Sequence, residues 1–333
     1  MNAIWSREPI RWSEGTANLF GIGRLKSLEP LFIDRSIYNK LVGAKDEAEF
    51  LRLLAETRYQ KFMDQEALRY PALIFSRAEQ EALNLSLEFA KERWFRYLLI
   101  LPVYVFNLKL ALKRQLAPAA PGEGLEEWKP ALSAVVPPEV EASFSGIAAR
   151  ALTRAQQSQD PSVIDVLLDR AEAETALRIS AGFDFAERYY RLSADLLNLR
   201  LLLRLKLLGE SLSAPETVLV AGGSLPVRML VGLESASVEE WKNRFSGTPF
   251  RELVQAGFDA FSGNGLFAVV ERRSREILIE YINRARYVVL GYEPVFRFYR
   301  LWENELTNLR LIYSAKVAGL GPDICQELVA DAD

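Results

Sequence analysis

The 333-residue chain contains no histidine. That absence removes His-based catalytic triads, most zinc sites and the commonest general acid–base. It holds one cysteine, Cys325, so no internal disulfide can form, and a reducing compartment is expected. Neither sign of charge is in large excess. Lys and Arg total 41 against 44 Asp and Glu, for a net charge of −3. A general nucleic-acid binder carries a basic surplus, so that class is disfavoured, although local basic patches remain compatible. The longest apolar run, Tyr97 to Leu108, is short for a bilayer span and contains Pro102 and Asn107. The opening "MNAIWSREPIRW" lacks the apolar core of a secretion signal. Any work at a membrane is therefore expected to go through a partner. No GxxxxGK[ST] loop is present, and "GIGRLK" at Gly21 lacks the third glycine and a preceding strand. "AGGS" at Ala221 to Ser224 could bend around an anion, but a plain turn is the simpler reading. No residue set calls for catalysis, a cofactor, a metal or a small-molecule substrate.

What is present is helical periodicity. In "PSVIDVLLDRAEAETALRIS", Ile164, Leu167, Leu168 and Ala171 keep the i, i+3, i+4, i+7 spacing of one helix face. Asp160 reads as its N-cap and Pro161 as its first helical position. No stretch sustains period-two alternation. "NGLFAVVERR" from Asn264 has a β-branched cluster but runs into a charged helical pattern. The expected fold is all-α.

Internal repeats organise the chain. Asn107-Leu108-Lys109-Leu110, Asn198-Leu199-Arg200-Leu201 and Asn308-Leu309-Arg310-Leu311 share one pattern. In the second and third copies a lysine follows (Lys206, Lys316), then a glycine (Gly209, Gly319) suited to closing a helix. The first copy has Gln115 and Pro118 there, with Lys113 and Arg114 nearby. Each asparagine follows an aromatic and arginine-rich helical stretch: "ERWFRYLLI", "FAERYYRLS" and "VFRFYRLW". A second element recurs between the first and third copies. Asp46 and Ser237 each read as an N-cap with glutamate three residues on. Phe50/Trp241, Leu54/Phe245, Thr57/Thr248 and Tyr59/Phe250 keep the same offset of 191 residues. "APAAPGEG" from Ala117 and "GESLSAPE" from Gly209 break the pattern; within the latter, "SAPE" at Ser213 reads as a capping box. These breaks predict three helical units, at 1–118, 119–213 and 214–333.

The repeated helices carry polar groups among leucines. Asn198 and Arg200 lie roughly 200° apart on a helix and cannot form one compact pair. Arg200 and Arg204 share a face, as do Lys109 and Lys113. Two readings stand. Asn107, Lys109, Lys113, Asn198, Arg200, Arg204, Asn308, Arg310 and Lys316 could tie helices together internally, because a bare buried polar group costs several kcal/mol. Alternatively, they could form basic stripes facing a partner.

"LFGIGRLKSLEP", "FLRLLAETRYQKF", "LLNLRLLLRLKLLG" and "ENELTNLRLIYSAKVAGLGPDI", in that order along the chain, resemble the C subunit of the V/A-type ATPases and ATP synthases, the counterpart of the d subunit of the eukaryotic vacuolar ATPase. The unusual "WSREPIRW" and the proline-rich end of the first copy depart from the family pattern. The resemblance implies three similar helical domains in a pseudo-threefold funnel. It implies a non-catalytic part, seated between the rotor-shaft subunits of the soluble motor and the membrane proteolipid ring, at the cytoplasmic face. From the residues alone, a helical scaffold that binds peptides or other helices is the competing class. A carboxylate-and-metal enzyme is a third, and "AEAET" at Ala171 is its nearest candidate.

Overall fold

The computed structural model describes residues 9–116, 138–210, 218–262 and 267–330. The opening residues, the proline-rich block at Ala117, the capping box at Ser213 and both expected unit boundaries lie outside the described residues. Among those described there are helices and turns and no strand. In chain order the α-helices are α1 (Leu19–Leu28), α2 (Arg35–Gly43), α3 (Glu47–Leu54), α4 (Gln65–Arg69), α5 (Ala72–Phe89) and α6 (Arg93–Leu116). Then come α7 (Pro138–Ser158), α8 (Ser162–Ser180), α9 (Asp184–Leu208), α10 (Val227–Glu234) and α11 (Val238–Phe245). The last four are α12 (Arg251–Ser262), α13 (Ala268–Ile282), α14 (Glu293–Val317) and α15 (Pro322–Leu328). The β-branched cluster expected to join a helix does so in α13. Helix α8 starts one residue later than its periodicity suggested: Pro161 is the cap residue, and Asp160 accepts from Ser162 N at 2.9 Å.

These elements fall into two compact units that cut across the sequence blocks. Of the described residues, one unit takes 9–10, 92–116, 138–199 and 218–234, the other 11–91, 200–210, 235–262 and 267–330. In the first, α6 packs on α8 and α7, and α7 packs on α8. Trp94 stacks on Phe183 with ring centroids 3.5 Å apart. Pro102 does not interrupt α6, so the helix is longer than the apolar run read from sequence. By length and composition it is the one described helix that could cross a bilayer. Its packing faces and its paired lysines, described below, make it a core helix of this unit.

The second unit is built around α14, which packs on α1, α3, α5, α13 and α15. Its Phe296, Phe298, Tyr299 and Trp302 are buried. Each such aromatic buries about 150–250 Å² and contributes several kcal/mol of hydrophobic driving force. Two local pieces of this unit repeat the offset of 191 residues in three dimensions. Asp46 accepts from Glu49 N at 2.9 Å to cap α3, and Ser237 accepts from Glu240 N at 3.2 Å to cap α11. The α11 cap is a full capping box; at α3 the glutamate reaches one residue further back, accepting from Lys45 N at 2.9 Å. Phe50 and Trp241, Leu54 and Phe245, and Tyr59 and Phe250 are all fully buried. Thr57 and Thr248 each donate to the carbonyl three residues back and accept from the N–H two residues on.

Candidate functional site

Asn198 and Asn308 make the same clasp. Nδ2 of Asn198 donates to Val220 O at 2.8 Å while its Oδ1 accepts from Val220 N at 2.8 Å. Nδ2 of Asn308 donates to Ala330 O at 2.8 Å while its Oδ1 accepts from Ala330 N at 3.0 Å. Both partners lie 22 residues on in sequence. Each asparagine is buried, and each backbone segment it holds has no helical or sheet partner of its own at that point. The carboxamide supplies the missing donor and acceptor together. Asn107 is half-buried, and the residue 22 positions beyond it lies outside the described residues.

The helices that carry these clasps end alike. Gly209 and Gly319 have φ of +68° and +67°. In each case the glycine N–H reaches the carbonyl three residues back and the next N–H reaches five back: Glu210 N to Leu205 O at 3.0 Å, Leu320 N to Ala315 O at 2.8 Å. This double closure needs a left-handed residue, which glycine adopts without strain.

The basic residues two positions after each asparagine all meet a carboxylate. Lys109 pairs with Asp169, Arg200 with Glu271 and Arg310 with Glu79. Lys113 adds a bond to Asp165 at 2.7 Å, one turn along both helices. Arg204 sits 4.0 Å from Glu271 and lies over the Phe267 ring at 4.6 Å. Lys316 is buried and donates to Val42 O at 2.6 Å. The carboxylates are themselves in register. Glu79 precedes the end of its helix at Phe89 by ten residues, Asp169 precedes Ser180 by eleven, and Glu271 precedes Ile282 by eleven. In sequence order, the first long helix (α6) reaches the helix before the second (α8), and the second (α9) reaches the helix before the third (α13). The third (α14) reaches back to the helix before the first (α5). The pairing order closes on itself.

Several polar residues with large structural roles escaped the sequence reading. Asp195 is buried, and its carboxylate accepts from Ser224 N at 2.9 Å, Leu225 N at 3.0 Å and the Ser224 hydroxyl. The "AGGS" segment thus does wrap an anion, one supplied by the chain itself. A Cβ on Gly223 would lie 2.1 Å from Asp195 Oδ1, so only glycine allows the approach. One repeat later, Glu305 accepts from Ile33 N at 2.5 Å, Tyr59 OH at 2.7 Å and Arg58 Nη2 at 2.5 Å. The Arg58 guanidinium is sandwiched between the Phe32 ring at 4.4 Å and the Trp302 ring at 4.1 Å. Burial pushes both carboxyl groups above the ordinary carboxylate range, against the pull of their hydrogen-bond donors. Arg275, half-buried, is pushed down to about 10 by desolvation and donates to Asn308 Oδ1 at 2.6 Å and Leu328 O at 2.5 Å. The available signal was the acid three residues before the asparagine in the second and third copies; Tyr104 holds that place in the first.

Chemically, these groups hold backbone segments and neighbouring helices. Among the described residues no group of three or more Cys, Asp or Glu is placed to hold a metal ion. Glu174 of the "AEAET" segment pairs with Arg170 at 2.8 Å across one helical turn.

A comparison with curated proteins returned no match. The family model of the ATP synthase (C/AC39) subunit matches residues 22–328, nearly the whole chain, including all three asparagine copies, both caps and the Gly209 and Gly319 helix ends. With repeated clasps and one family pattern over the same residues, the chain belongs to the ATP synthase (C/AC39) subunit family, which provides the C or d subunit of V/A-type ATPases.

Proposed function

We propose that this V/A-type ATPase subunit is a non-catalytic coupling element. It joins the rotor-shaft subunits of the soluble motor to the membrane proteolipid ring and carries torque between them. The single observation that supports this reading most is the closed order of ion pairs: α6 to α8, α9 to α13, α14 to α5. Three helical units, at 1–118, 119–213 and 214–333, would each hand a long helix to the next, with no first or last member. Such a closed ring of equivalent units has pseudo-threefold symmetry, and a funnel of three domains is its simplest form. A load entering one unit is shared by the other two. Buried asparagine clasps resist shear because each has one geometry and a costly alternative, while the part-exposed ion pairs set which helix meets which.

A threefold body that rests on a ring of different symmetry cannot make one close-packed apolar fit at every position. Charged contacts vary more gently with distance, so polar rims are expected to dock on the ring at the cytoplasmic side. The test is assembly. The purified chain is mixed with a detergent-solubilised proteolipid ring and the shaft subunits, and the mixture is resolved by size. A ternary complex that dissociates as salt rises is expected. Binding to unrelated helical peptides, with neither motor component retained, would favour the scaffold reading instead.

A further inference from the structure

One end of the second compact unit bears an exposed apolar patch with arginines around it. Phe20 is 82% exposed and Tyr287 85%, with Val289 at 58% and Leu19 at 49%. Two stretches distant in sequence are tied side by side here. Gly291 N donates to Gly15 O at 2.9 Å, and Lys26 Nζ donates to Arg286 O at 2.6 Å. Along the first stretch Leu19 and Phe20 fall between these two anchor points, and along the second Tyr287 and Val289 do. The four exposed side chains therefore sit on two neighbouring segments of one unit. The junction is tight: Gly291 has φ of +74°, and a Cβ there would lie 2.5 Å from Ser13 Cβ.

The charge around this surface is lopsided. Arg24 and Lys26 engage Glu88 and Glu29 at 3.3 Å and 3.2 Å. Arg284 and Arg286 make no ion pair among the described residues; their guanidiniums lie over the Tyr281 and Tyr287 rings at 5.4 Å and 5.9 Å. Glu14, exposed on the first stretch, is the opposing charge. Exposed aromatic and aliphatic side chains flanked by unpaired arginines match the headgroup layer of an anionic membrane. There the rings enter the acyl boundary and the guanidiniums meet phosphate. We propose that this surface docks on anionic lipid headgroups, with Phe20, Tyr287 and Val289 as the apolar anchors and Arg284 and Arg286 as the charge contacts.

Cosedimentation of the full chain with phosphatidylcholine vesicles, with or without phosphatidylglycerol, tests this. Binding is expected only when phosphatidylglycerol is present, and it should weaken as salt rises. The double variant R284Q/R286Q is expected to bind those vesicles roughly thirtyfold less well, from about 1 kcal/mol for each arginine. F20S/Y287S should lower binding several-fold while leaving the thermal midpoint unchanged, because neither side chain is part of a core. Equal binding to neutral vesicles, binding to neither, or indifference to all four substitutions would overturn the proposal. So would self-association, or capture by a lipid-free detergent-solubilised ring, that depends on Phe20 and Tyr287 without vesicle binding. The coupling role does not depend on this surface: a failed vesicle experiment leaves the ternary-complex result to decide that role separately.

Discussion

Replacing Asn308 by alanine removes one side chain and weakens the hold on two backbone groups. Ala330 N would lose its partner, and Ala330 O would keep only the longer bond from Asn304 Nδ2 at 3.4 Å; Asn308 and Ala330 are both fully buried. An orphaned buried donor or acceptor costs about 1–3 kcal/mol, which sets a ceiling near 6 kcal/mol for the pair. Arg275 also loses Asn308 Oδ1 but keeps Leu328 O at 2.5 Å and Asn304 Oδ1 at 3.1 Å, so its share is smaller. The chain has a cheaper escape than bearing the whole penalty. The segment from Pro322 to Ala330 can lift away and hydrate its own backbone, at the expense of its docking. The expected loss is therefore about 2–4 kcal/mol, shared between global stability and local opening. Hydrogen exchange read by mass spectrometry suits the purpose, because a chain with two compact units need not unfold in one step. Peptides covering residues 322–330 should lose protection first and most. Asn84→Ala is the control: Asn84 is exposed, accepts one bond from Gln80 at 2.9 Å and should change stability by under about 0.5 kcal/mol. If Asn308→Ala matched that control and left the C-terminal segment protected, the clasp would carry no weight and the reasoning would fail.

Gly223→Ala should destabilise the first unit by more than about 2 kcal/mol, since its Cβ would collide with Asp195 Oδ1 and evict the carboxylate from its three donors; an unchanged melting curve would contradict this. Double-mutant cycles should separate two kinds of ion pair. Arg58–Glu305, whose side chains are 10% and 4% exposed, should show coupling of about 3 kcal/mol or more, and Arg310–Glu79, at 40% and 23%, less than about 1 kcal/mol. Similar values for both would refute the assignment of burial as the deciding variable. The pH dependence follows from Asp195, Glu293, Glu303 and Glu305, all raised by burial. Between the unfolded carboxyl value near about 4 and the raised folded value, the folded state holds more protons, so stability falls as pH rises through that window. Thermal midpoints measured across it should show this slope, and Glu293→Gln should lessen it; a slope that the substitution leaves untouched would refute the part assigned to Glu293.

The all-α class was legible in the sequence because helical periodicity, caps and closing glycines agree with one another. Ser237 with Glu240, and Gly209 with Gly319, are legible through their local chemistry, which involves bonds within five residues of chain. The 191-residue offset was legible for the same reason: each copy of the cap, core face and threonine turn is a local object. What stayed hidden was distant pairing. Nothing near Asn198 in sequence announces Val220, and nothing near Arg310 announces Glu79. "AGGS" looks like a plain turn because its anion, Asp195, comes 28 residues before Gly223. Arg58 reads as one basic residue among many, and only its sandwich between Phe32 and Trp302 distinguishes it. Pro102 suggests a break in α6 that the packing of neighbouring helices overrides.

The asparagine clasp is indifferent to which side chain it holds. It addresses an amide N–H and a carbonyl oxygen, groups nearly every residue type offers, and so it tolerates valine at one site and alanine at the other. The asymmetry of the carboxamide is what cannot be traded: an aspartate of the same shape would turn an acceptor toward the peptide oxygen and repel it. Kinship within this fold is thus written in an asparagine and a count of residues, while the held position is free to drift, and a proline there, lacking its N–H, would let go.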